Sequence, residues 1–170
     1  KLSLLPDIIH CNPWPTGFIP LFLKSFYHNI FPDVRTVFTI HNIEYQGKFD
    51  KAILGDIFAL DGYMNVLEHD GCINLMKGAL VASDYITTVS PNYAYELHHD
   101  FFAFGLAGII ESVGAKLTGV INGIDYEYFS PERGGDIYAS YGKDDLKEGK
   151  LKNKLALQRE LGLEENASVP

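Results

Sequence analysis

Four short apolar runs punctuate the chain: Asp7–Cys11 (DIIHC), Arg35–His41 (RTVFTIH), Tyr85–Ser90 (YITTVS) and Leu117–Ile121 (LTGVI). Their β-branched content and near-continuous apolarity predict strands covered on both faces, as in a parallel sheet. Between them apolar residues recur at helical spacing. Phe18, Leu21, Phe22 and Phe26 predict a helix over Thr16–Tyr27, with Thr16 as its cap; Ile73, Met76, Leu80 and Val81 predict another over Cys72–Ser83. Ser90-Pro91 is a helix start, because serine caps and proline suits the first helical position; it leads into Asn92–Leu97. Strands alternating with helices predict right-handed βαβ units and a doubly wound α/β sheet.

Beyond Ser130-Pro131-Glu132-Arg133-Gly134-Gly135 the pattern changes. The Pro and Gly punctuation predicts a segment end there. The following stretch is polar and helix-prone. Lys143–Leu161 predicts a surface connector helix, with Asp144 and Asp145 near its positive end, a partial stripe of Leu151, Leu155, Leu157 and Leu161, and Gly162 as its stop. The chain opens at Lys1 rather than Met and runs directly into apolar sequence, so it reads as a piece of something longer.

Charge narrows the partners. The net charge of −8 argues against nucleic acid or an anionic membrane, and no apolar run approaches the roughly 20 residues that span a bilayer. Residues 1–131 hold 7 basic and 14 acidic side chains; residues 132–170 hold 7 and 8. Two cysteines, Cys11 and Cys72, suit a reduced, intracellular protein.

In an open parallel sheet, ligands sit beyond the carboxyl ends of the strands. That rule selects His10–Trp14, His41–Gly47, Ser90–Tyr93 and Asn122–Asp125. Asn, His, Tyr and Trp gathered at one edge can direct hydrogen bonds to hydroxyls while an aromatic face covers a ring's C–H surface. Sugar uses both at once. The alternatives are plain: His41 as a strand-end histidine satisfied by a loop, Trp14 as a core anchor, Tyr45 as a loop pin, Asn122-Gly123 as a turn. His10 and His41 lack a convincing third ligand for zinc. Ser90 has no nucleophile elbow around it. Neither glycine-rich phosphate motif is present, and the Gly105–Gly108 stretch reads as a loop of neither kind; a diphosphate has no evident partner.

The runs PDIIHCNPWPTG, TVFTIHNIEYQGKF, INLMKGALVASDYITTVSPNYAYEL and KLTGVINGIDYEYFSP resemble, in order, the bacterial glycogen synthases and plant starch synthases; KLALQRELGL resembles the helix leading into that family's second domain. The likeness covers nearly the whole chain. It implies a retaining glycosyltransferase of the GT-B type, in which two Rossmann-like domains face across a cleft. Residues 1–131 would be part of the N-terminal, acceptor-side domain, a Rossmann-like parallel sheet flanked by helices, and residues 132–170 the interdomain linker. The family's Lys-x-Gly-Gly loop would lie before Lys1 and its donor domain after Pro170. The implied reaction moves glucose from ADP-glucose, held mainly by the absent domain, to the non-reducing end of an α-1,4-glucan, without metal or other cofactor. By motif, His41 contacts the transferred glucose and stabilises its transition state, Asn42, Tyr45 and Gln46 shape the sugar site, and Asn122 faces the same cleft. Trp14 matches the tryptophan of the family's His-x-x-Asp-Trp segment. Pro13 stands where that segment has Asp, Pro15 where it has His or Gln, and Ala107 where a Glu is common. The resemblance implies a bacterial cytoplasmic location, or a plastid for a plant-type enzyme. Two other readings remain open: a catalytically silent glucan-binding module, and a related sucrose-type synthase.

Overall fold

The structure, a computed structural model, describes residues 5–169. The Lys1 opening and the final Pro170 lie outside the described residues. By compactness the chain forms one unit up to Asn122 and a second from Gly123 on.

The first unit is built on a four-stranded parallel sheet. Its strands are β1 (Ile8–Cys11), β2 (Arg35–Ile40), β6 (Tyr85–Thr88) and β7 (Leu117–Gly119), side by side in the order β1-β2-β6-β7. All four predicted strands form. Helices flank the sheet as expected, but among the described residues coverage on both faces holds only along part of the central strand β2, where Phe38, Thr39 and Ile40 are all buried. Phe38, Ile40 and Ile86 are fully buried with Cys11 against Met76, Leu80 and Ile110. The alternating positions differ: Ile8 and Tyr85 are about 60% exposed and His10 is exposed. Period-two alternation sends neighbours to opposite faces, and the continuous apolarity of the runs masked it.

A second sheet escaped the sequence pattern. Strands β3 (Lys48–Phe49), β4 (Glu68–His69) and β5 (Cys72–Asn74) pair antiparallel in the order β3-β5-β4. Two short helices, α2 (Ile53–Asp56) and α3 (Met64–Leu67), lie in the chain between β3 and β4. Cys72–Asn74, predicted as the first turn of a helix, is therefore strand, and helix α4 runs over Leu75–Ala82. Asn74 decides the boundary: its extended backbone ends the strand and its side-chain oxygen accepts the Lys77 N–H, a capping bond.

The helix predicted over Thr16–Tyr27 begins as a 3-10 turn at Trp14–Thr16, continues as α1 (Phe18–Phe22) and relaxes into a π turn at Leu23–Tyr27. Thr16 does not cap it. Its hydroxyl and its N–H both donate back to the Pro13 carbonyl, which the rigid Pro13–Pro15 segment holds in reach. Ser90 caps α5 (Pro91–Glu96) as expected, accepting from the N–H groups of Asn92 and Tyr93. After α6 (Asp100–Ala103), the glycine-containing stretch is only partly loop, because α7 takes up Ala107–Val113.

In the second unit, α8 covers Leu146–Glu160 and ends at Gly162, whose positive φ of 67° suits glycine. It starts later than predicted because the Asp145 carboxylate accepts the Gly142 N–H, tying the preceding turn. Its Leu151 and Leu157 are exposed.

At the amino ends of the strands, Asp84 accepts the N–H and hydroxyl of Thr36 at 2.8 and 2.9 Å and pairs with Lys24 at 3.2 Å. Burial alone would raise this carboxyl; the Thr36 donors and Lys24 outweigh it and hold Asp84 below the ordinary carboxylate range. A depressed native pKa gives stability that is present above the unfolded value, about 3.9, and lost as pH falls through the native one. Asp84→Ala is expected to cost about 1–3 kcal/mol at neutral pH and to flatten the acid limb of the stability curve. Urea titrations between pH 2 and 7 check both.

Candidate functional site

Parallel pairing puts the carboxyl ends of β1, β2, β6 and β7 at one edge, so the segments His10–Trp14, His41–Gly47 and Ser90–Tyr93 selected by sequence emerge together there. Two contacts stitch the strand ends. His10 Nε2 lies 2.6 Å from Thr39 Oγ1, which lies 2.7 Å from Thr87 Oγ1, a polar relay across three strands. One residue beyond β2, exposed His41 places Nε2 2.8 Å from Asn12 Oδ1 beyond β1. An amide oxygen only accepts, so this bond puts the proton on Nε2 and leaves Nδ1 for a ligand. In the neutral ring Nδ1 accepts from a hydroxyl; it donates only from the imidazolium.

The loop His41–Gly47 is held from beneath. Asn42 Oδ1 accepts the Glu44 N–H, closing a tight local turn. Ile43 is fully buried and its N–H donates to the Tyr93 hydroxyl at 3.2 Å. Gln46 is also buried: its Oε1 accepts from Asn74 Nδ2 at 2.7 Å and its Nε2 donates to the Phe104 carbonyl at 2.9 Å. The loop carbonyls of Gly47 and Gln46 take the N–H groups of Leu75 and Met76. With Asn74 on Lys77, the first three donors of α4 are satisfied, donors that a helix cannot pair within itself. Loop and helix end thus solve one another's hydrogen-bonding problem.

Gly47 completes the fixing. Its φ of +64° disfavours other residues, and a Cβ there would strike the Trp14 ring. Trp14 bridges the two hydrophobic clusters of this unit and packs on Phe49 with ring centroids 6.0 Å apart.

The structure therefore sorts the sequence-selected residues. His41, Asn42 and Tyr45 are exposed on one loop, Tyr45 at 63%. Asn122 is exposed, three residues past the end of β7, at the close of the first unit. Gln46 lies under the loop with both ends of its amide engaged, and Trp14 is a half-buried anchor. Sequence reasoning missed Asn12 as the partner of His41, and Tyr93 and Asn74 as supports; Tyr93 carried a signal, lying just past the Ser90-Pro91 helix start. Cys11 beside them is packed, and burial pushes its thiol up. Among the described residues, no three His, Cys, Asp or Glu side chains gather as a metal site requires, and no helix is long and apolar enough to cross a membrane.

Replacing Gln46 with Leu would leave the Asn74 amide and the Phe104 carbonyl without their buried partner. We expect Gln46→Leu to destabilise the fold by about 2–4 kcal/mol, read by thermal or urea denaturation.

Comparison with known proteins bears on what this edge is for. The family model described as the starch synthase catalytic domain matches residues 1–112. The glycogen synthase of Geobacillus thermodenitrificans (strain NG80-2) is 46% identical over 175 aligned positions, covering 100% of this chain and 36% of that protein. The glycogen synthase of Streptococcus agalactiae serotype III (strain NEM316) is 43% identical, covering 100% and 37%. The chain thus spans about a third of the length of these curated relatives. Among solved structures, the catalytic domain of starch synthase IV from Arabidopsis thaliana, bound to ADP and acarbose, aligns with a TM-score of 0.75 at 32% identity, covering 97% of this chain and 34% of that one. With the family model covering well over half of it, this chain belongs to the starch synthase catalytic domain family.

Proposed function

We propose that this chain is the acceptor-side part of a retaining glucosyltransferase that extends an α-1,4-glucan from ADP-glucose. The observation that carries the reading is the pinned loop at the strand ends. It holds His41, with its ring oriented by Asn12, beside an exposed Tyr45. Family membership, and the ADP and acarbose bound to the Arabidopsis relative, support the substrate class. On this reading residues 1–131 belong to the acceptor-side domain of a GT-B enzyme and residues 132–170 to the linker. The cationic groups that handle the donor diphosphate belong to a second domain, and a cytoplasmic setting follows the bacterial relatives.

On this reading the exposed and the buried residues of the edge take different parts. Tyr45 offers a ring face to the apolar side of a glucosyl unit. Asn42 and Asn122 offer amides for its hydroxyls. His41 orients the transferred glucose through Nδ1, the nitrogen that Asn12 leaves free, and acts electrostatically rather than as a general base. Gln46 and Trp14 act one layer back, by fixing the loop and its floor. Preorganisation of this kind lowers the reorganisation needed as charge develops.

Calorimetric titration of the 170-residue chain with maltoheptaose is expected to show binding that Tyr45→Ala and His41→Ala each weaken roughly tenfold. Unchanged affinity in both variants would remove the sugar site from this loop. Incubating the same chain with ADP-glucose and glycogen is expected to give no glucose incorporation. Turnover would contradict the assignment of the donor machinery to another domain.

A further inference from the structure

The basic side chains of residues 1–131 are few, 7 in all, and unevenly placed. Three of them, Lys24, Arg35 and Lys116, gather near one carboxylate, Asp84, at the amino ends of β2 and β6. This is the edge of the sheet opposite the His41 loop. Asp84 is fully engaged: Oδ2 takes the N–H and hydroxyl of Thr36, and Oδ1 takes Lys24. Lys116 has only neutral partners among the described residues, donating to the Val81 and Ser83 carbonyls at 3.3 and 2.9 Å. Burial, and then repulsion from Lys24, hold its amine below the ordinary lysine range against the pull of Asp84. Among the described residues Arg35 and His28 make no ion pair. Asp7 meets Arg35 through the backbone, its carbonyl accepting the Arg35 N–H at 3.0 Å.

A cavity of about 250 Å³ lies within this cluster, and Lys24, His28, Arg35 and Asp84 line it together with Phe31 and Pro32. Local structure builds the lining. The π turn over Leu23–Tyr27 carries Lys24. In the turn that follows, the N–H groups of Ile30 and Phe31 both donate to the Tyr27 carbonyl, which sets the course of the chain into Phe31 and Pro32. The first residue of β2 supplies Arg35, and the Asp84 N–H donates back to Thr36 Oγ1 at 3.1 Å, so the two strand starts are clamped in both directions.

Lys24, Arg35 and Lys116 against Asp84 leave a local surplus of two positive charges in a chain whose net charge is −8. Like charges held together repel, and a bound anion relieves that repulsion. The planar fork of arginine and the compact ammonium of lysine are the two donor geometries that hold phosphate oxygens. The volume falls below the roughly 300–1,000 Å³ of drug-sized sites, so the ligand is small, and Phe31 and Pro32 give the rest of the lining an apolar surface. We propose that this cavity binds a phosphate group, carried by inorganic phosphate or by a small phosphate monoester, between Lys24 and Arg35. Neither residue belongs to the proposed sugar site, so the cavity stands or falls apart from the glucan reading. A phosphate held there ties the π turn to the start of β2 and stabilises the fold by mass action.

Amide chemical-shift mapping of the 170-residue chain tests this, with sodium phosphate exchanged for sodium chloride at constant ionic strength. Phosphate is expected to shift the Lys24, Arg35 and Thr36 amides saturably and to raise the unfolding temperature. Arg35→Gln is expected to weaken both responses roughly tenfold in phosphate concentration. Lys48→Gln, which removes the same charge from an exposed position on the small sheet, is expected to leave them unchanged. Glycerol phosphate titrated in parallel separates the two sources. Tighter binding than inorganic phosphate assigns the Phe31 and Pro32 surface to the body of an ester; binding no tighter assigns the site to free phosphate, and either supports it. The proposal is overturned if the shifts grow without saturating, if chloride produces them equally, or if Arg35→Gln and Lys48→Gln weaken them alike, as diffuse attraction would.

Discussion

A buried pair of amides, Gln46 and Asn74, holds the candidate site together. Both side chains are almost wholly removed from solvent, and each amide works at both ends. Gln46 reaches the Phe104 carbonyl and Asn74; Asn74 reaches Gln46 and the Lys77 N–H. Polar groups this deep are costly unless paired, so the loop after β2, the junction of β5 with α4 and the turn after α6 are constrained to meet in one arrangement. The gain from meeting is mutual: the loop carbonyls cap the helix, and the helix donors fix the loop.

The exposed side chains of the loop after β2 inherit that rigidity. His41 and Asn42 precede buried Ile43, and Tyr45 stands between buried Ile43 and buried Gln46. The two buried positions leave the intervening side chains to face outward, so a short loop presents polar and aromatic groups from a fixed floor. Trp14 contributes to the floor through its contact with Gly47. A sheet with its parallel strand ends at one edge supplies the place, and the amide pair supplies the fixity.

The strands of the main sheet were legible because their runs are short, β-branched and separated by helical periodicity, and the Ser90-Pro91 start was legible because cap chemistry is local. The small antiparallel sheet was not. Cys72-Ile73-Asn74 continues the helical spacing of Met76 and Leu80, and only pairing with Lys48–Phe49 and Glu68–His69 makes it strand. Thr16 misled for a related reason: a threonine can accept as a cap or donate backward, and Pro13 decides it. At the site, motif and edge position pointed to Trp14, His41, Asn42, Tyr45, Gln46 and Asn122. The burial of Gln46 was beyond reach, since its partners lie 28 and 58 residues away. So was the pairing of His41 with Asn12, which depends on strand register rather than on spacing.

The central claim is that the loop is a fixed part of the core rather than a mobile surface segment. Native-state hydrogen exchange at the Ile43, Leu75 and Met76 amides tests it most directly, since these donate to Tyr93, Gly47 and Gln46. The account predicts that they exchange as slowly as the Phe38 and Ile40 amides of the central strand, opening only with the global fold. Exchange near the rate of an unprotected chain, with Phe38 and Ile40 still protected, would contradict it.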